Sequence, residues 1–76
     1  MMKVQVLDRF TANDLNVLTL QGTTNFGNTT LMNADGAKVK VLSQNMPSME
    51  AEKMKIAMVV VDAPISGDEL ELVELN

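Results

Sequence analysis

A chain of 76 residues with neither cysteine nor histidine is expected to form one small domain over residues 1–76, with a single core and no disulfide or thiolate metal site to staple it. Hydrophobic residues make up 46% of the chain, too many for a disordered one, and no apolar run is long enough to span a membrane. The net charge of -4 is uneven: residues 1–61 carry six basic and five acidic side chains, residues 62–76 five acidic and no basic ones.

Taken in chain order, the apolar spacing is mostly that of strands. In "MKVQVLD", Met2, Val4 and Val6 alternate with Lys3 and Gln5, which places the two sets on opposite faces. The opening "MMKVQVLDRF" has neither a long apolar run nor a small-residue cleavage site, so a cytoplasmic location is expected. In "DLNVLTLQG", Leu18 and Leu20 share a face with Asn16, while Leu15 and Val17 share the other. With both faces partly apolar, this predicts an interior strand or one with a bulge. No charge occurs from Leu15 to Ala34. Within that window Gly22 and Gly27 bracket Phe26, one of only two aromatics, so a turn is expected there. A Phe folded under the turn would plug a barrel end; a Phe at its tip would need a partner.

"NTTLMNADGAKVKVLS" reads as a hairpin turning on Asp35-Gly36, a pair that suits a two-residue turn with positive φ. "NTT" at 28–30 matches a glycosylation acceptor and is read as chance. In "PSMEAEKMK", Pro47 and Ser48 resemble a helix start, which predicts one or two helical turns near residues 48–53. The runs from Lys53 to Val61 and "ELELVEL" read as another strand pair, with Pro64 and Gly67 in the connection and a bulge near Leu72–Val73. The sum is an all-β domain: five or six antiparallel strands closed into a small barrel, with at most one short helix.

This arrangement resembles the OB-fold. "LNVLTLQG" takes the place of its first strand, with Gly22 at the bend, and "TTLMNADGAKVKVLS" the second and third. "MKIAMVVVD" and "ELELVEL" take the last two, and "MKVQVLD" is an added N-terminal strand. The resemblance covers roughly residues 14–75 at the level of pattern, and an SH3-like barrel or small sandwich reads almost the same. It implies binding of single-stranded nucleic acid across the barrel face.

Little in the chain supports catalysis. Without His or Cys, the usual acid–base and zinc chemistry has no carriers, and Ser43, Ser48 and Ser66 have no His to activate them. No phosphate or dinucleotide loop is present, so neither a cofactor nor a small-molecule substrate is expected. Glu69 and Glu71, two apart on a strand, would hold a hard cation only weakly.

A non-enzymatic binding module is therefore expected. The leading reading is protein–protein interaction or self-assembly into a homo-oligomer through uncharged, Met-rich surfaces; Met46, Met49, Met54 and Met58 cluster in sequence. In size and style the chain resembles the small accessory proteins of phages and mobile elements. The alternative is a single-strand binder, in which Lys38/Lys40 and Lys53/Lys55 form a basic stripe and Phe26, with Phe10, stacks bases. A third surface, Asp68, Glu69, Glu71 and Glu74, would suit a basic protein partner.

Overall fold

A computed structural model describes residues 2–23, 26, 29–45 and 48–74. Gly27, Asn28, Met46, Pro47 and Leu75, each singled out by the sequence, lie outside them. The described residues form β1 (Lys3–Ala12), β2 (Leu15–Gln21), β3 (Thr29–Met32), β4 (Lys38–Asn45), α1 (Met49–Lys53), β5 (Ile56–Val61) and β6 (Glu69–Glu74). The strands close into an antiparallel barrel in the order β1-β2-β5-β4-β3-β6, with β6 returning to β1. The all-β barrel with one short helix is thus as the alternation predicts.

Alternation decides which side chains fill it. Val4, Leu18, Leu20, Leu31, Val39, Val41, Ala57, Val59, Val61 and Leu70 point inward and are buried. The residues between them on each strand point outward. Ser48 caps α1 as expected: its hydroxyl accepts from the Ala51 N–H at 3.0 Å. β2 is interior, with β1 on one side and β5 on the other.

Four expectations are corrected. β5 and β6 do not pair: β5 lies between β2 and β4, and β6 between β3 and β1. The connection over residues 62–68 crosses the barrel instead of turning back. It brings β6 beside β3, which completes a Greek key of β3, β4, β5 and β6. β1 is a full stave of the barrel, not an added strand, and β2 is separated from β3 by β5 and β4. Alternation fixes the face of a strand, not its neighbour, so these partners were open in the sequence.

The third correction concerns turns. Asn33 N–H donates to the Ala37 carbonyl and Gly36 N–H to the Asn33 carbonyl, which makes a three-residue loop over 34–36, with Gly36 at φ 86°. The two-residue turn with positive φ lies at Asn13-Asp14. The fourth concerns bulges. β6 keeps its register through Leu72 and Val73; the shifts occur between Val6 and Asp8 in β1, and between Val41 and Ser43 in β4.

Two loop residues stopper the barrel. Phe26 is wholly buried, and its N–H donates to Oε1 of Gln44 near the end of β4. Ile65 is buried from the crossing connection, which is tied to the start of β4 through Asp62 and Lys40. They therefore fill opposite ends. Burying a side chain the size of Phe or Ile contributes about 1.5–3 kcal/mol.

Candidate interaction surface

The residues chosen from sequence do not assemble into one site. Phe26, with none of its surface exposed, has no face for a base or a partner; it is the plug. Lys38 and Lys40 point outward from β4, opposite Met32 and Thr30. Lys53 ends α1, and Lys55 follows it with φ 61°. Neither Lys53 nor Lys55 is on a strand, which corrects the strand-spaced reading of that pair. β5 separates the two lysine pairs: Lys55 precedes its first residue, while Lys40 is bonded to Asp62 just beyond its last. At ~3.3 Å per residue this is roughly 20 Å. No continuous basic stripe results.

The acidic group is also divided. Glu69 forms an exposed ion pair with Lys3, Oε1 to Nζ 3.6 Å. Glu71 is half-buried, beside Lys3 on β1 and Met32 on β3. Asp68 is exposed ahead of the strand, and Glu74 pairs with Thr29 at its end. Among the described residues no group of acidic side chains is arranged to hold a metal ion.

What the fold does bring together is apolar and uncharged. Partners across an antiparallel ladder share a face. Phe10 lies opposite Val17, Val17 opposite Val60, and Val60 opposite Ser43, with Leu42 displaced outward in the adjoining bulge. This row crosses four staves. Ala12 and Leu15 flank it on one side; Thr19, Met58 and Asn45 flank it on the other, with Gln21 and Ile56 beyond. Every outward position of β2 and β5 is uncharged. Charged groups stand only at the border: Asp8, Asp14, Lys40, Lys55 and Asp62. Phe10 is 44% exposed, Leu15 48% and Leu42 58%, so large apolar side chains project from this wall.

Phe10 is thus the one aromatic available to a partner, although β1 and not a basic stripe presents it. Half of the signal for this wall was in the sequence, as the missing charges from Leu15 onward. The other half was that β2 and β5 are neighbours, which alternation does not state.

The hairpin of β1 and β2 overhangs the barrel. Leu7 to Leu15 are exposed without interruption. The guanidinium of Arg9, the only arginine, donates to the Gly67 carbonyl and braces the hairpin against the crossing connection. Between them lies a cleft of about 180 Å³ lined by Arg9, Phe10, Thr11, Asn16, Leu18 and Pro64. Asp8 and Asp68 line a shallower hollow on the other side of Arg9.

Comparison of the chain with protein-family models, with curated proteins and with solved structures gave no match.

Proposed function

We propose that this barrel is a non-enzymatic protein-interaction module, and that the outer wall of β1, β2, β5 and β4 is its contact surface. One observation carries the reading: the row Phe10, Val17, Val60 and Leu42 runs across four strands without a charge. A wall exposed only to water has no physical reason to exclude Lys and Glu from every outward position of its two central strands, β2 and β5. A contact surface does, because each buried, unpartnered charge opposes association. An exposed ring amid aliphatic side chains, with charges at the rim, is also the anatomy of an interface centre.

The test is sedimentation velocity over micromolar to millimolar protein, with the wild type beside Val60→Lys. Val60 points outward, so the lysine should leave the fold intact and add a charge to the middle of the wall. The wild type is expected to sediment faster as concentration rises, and Val60→Lys to remain a monomer with the same melting temperature. A wild type that stays monomeric throughout and binds no hydrophobic dye would sink the proposal.

A further inference from the structure

β1 is longer than the strand that closes the barrel on it. β6 pairs with it only over Lys3, Val4 and Gln5, and the last backbone bond on that side runs from the Val6 N–H to the Asp68 carbonyl, 2.8 Å. Past the bulge at Leu7, residues Asp8 to Ala12 pair with β2 alone. Among the described residues no strand covers their other side.

The hairpin determines which backbone groups face that open side. Asn13 and Asp14 have φ 51° and 65°, the signature of a two-residue type I′ turn. Such a turn is closed by a pair that exchanges both N–H···O bonds, here Ala12 and Leu15. Alternation then aims the polar groups of Phe10 and Asp8 at β2 as well, toward Val17 and Thr19. The N–H and C=O of Arg9 and Thr11 point the other way, into the open. Val6, before the bulge, has the matching parity: its N–H reaches the β6 side.

We propose that this edge pairs, antiparallel across a twofold axis, with the same edge of a second copy of the chain. The proposal rests on the hairpin being part of a contact surface, and it commits the partner to an identical molecule. Three registers satisfy the twofold. Arg9 against its own copy brings two guanidinium groups face to face, which is unfavourable. Thr11 against its own copy places Arg9 beside Asn13, which the turn has already bent out of the strand. The third sets each Arg9 against Thr11 of the other copy, which gives four N–H···O bonds. Its axis passes beside Phe10, so that the two rings meet as a close non-bonded pair on the outer face. Asp8 then lies opposite Ala12, and no like charges oppose each other. The apolar walls of the two barrels become continuous through the Phe10 pair.

Proline reads out the edge bonds directly. Thr11→Pro removes an N–H that the monomer does not use, a position where an edge strand tolerates proline. The variant should melt like the wild type yet sediment as a monomer where the wild type is a dimer. A cysteine reads out the register. In a non-bonded antiparallel pair the Cα atoms are ~4.5 Å apart, within disulfide reach, and the chain has no other cysteine to confuse the result. Phe10→Cys should therefore give a covalent dimer under mild oxidation, with little from Ala12→Cys.

A wild-type dimer that survives Thr11→Pro but is dissolved by Val60→Lys overturns the edge pairing and leaves the wall as the contact. A wild type that is monomeric at every concentration overturns the edge pairing, and the wall reading falls with it only when the protein also binds no hydrophobic dye. If Thr11→Pro fails to fold, the absence of a disulfide in Phe10→Cys overturns the proposal by itself.

Discussion

The N–H of Phe26 donates to Oε1 of Gln44 at 2.8 Å, so the connection between β2 and β3 is pinned to the end of β4 at the residue whose ring fills the barrel. The bond and the plug hold each other: the bond helps set the depth of the ring, and the buried ring holds the Phe26 N–H at its acceptor.

Phe26→Ala should cost about 3–5 kcal/mol, the usual range for emptying a buried aromatic site. Gln44→Ala leaves the Phe26 N–H without its acceptor and should cost about 1–3 kcal/mol. The double variant should cost less than the sum, because the bond has little left to position once the ring is gone. Urea unfolding of the three variants measures this, and strict additivity would show that the two contacts are independent.

Asn33 should be the most sensitive polar residue. It is only 6% exposed. Its Oδ1 accepts from the N–H groups of Asp35 and Ala37, and its Nδ2 donates to the Ser66 carbonyl at 3.0 Å. It ties the β3–β4 loop to the crossing connection. Asn33→Ala should cost about 2–4 kcal/mol by leaving these backbone groups unsatisfied, with Ser66→Ala nearly neutral because it is the Ser66 carbonyl that takes the closer bond. Equal effects of the two substitutions in urea unfolding would contradict that assignment.

Gly22 should resist substitution through both space and conformation. Its φ is 141°, and a Cβ there would meet Val4 Cγ1 at 3.0 Å and the Lys3 carbonyl at 3.1 Å. Gly22→Ala should cost about 1–3 kcal/mol. Gly36→Ala, with open space but φ 86°, should cost about 1–2 kcal/mol from conformation alone. Thermal melts compare them; a smaller loss at Gly22 would mean that β1 gives way to the added methyl.

Single-stranded nucleic acid should bind weakly if at all. The lysine pairs lie at opposite ends of β5, and the ring assigned to stacking is buried. Anisotropy of a labelled oligonucleotide at low salt is expected to stay flat at tens of micromolar protein, since backbone neutralisation without a stacking platform gives only weak, salt-sensitive binding. Saturable binding abolished by Lys38→Ala would restore the nucleic-acid reading.

The sequence was informative where a local rule decides the outcome. Val39 and Val41 face inward and Lys38 and Lys40 outward because a strand alternates, and Ser48 starts α1 because its hydroxyl can serve an N–H at the helix end. Phe26 could be read as a plug because the chain has only one other aromatic, Phe10. Where two distant segments must meet, the sequence was mute. β2 and β5 become neighbours through 22 returning to 55, with the Gly22 N–H bonded to the Lys55 carbonyl, and neither residue announces the other. Lys53 and Lys55 looked strand-spaced, yet the positive φ of Lys55 belongs to the turn that starts β5. The apolar wall was hidden for the same reason: its centre is divided between β2 and β5, with β1 and β4 on either side.

The seam between β1 and β6 also has a kinetic consequence. Lys3 sits opposite Glu71, nearly the whole described chain away, so the barrel is sealed by its first and last staves. A chain emerging residue by residue can form the β1–β2 hairpin early but has no partner for the other side of β1 until β6 arrives. Closure of so long a loop is entropically late, and folding on the millisecond-to-second scale of non-local β proteins follows. Through that interval the inner faces of β1 and β3 stay wet. Exposure to aggregation is therefore greatest just before the final strand docks, and variants that weaken the β6 seam should prolong it.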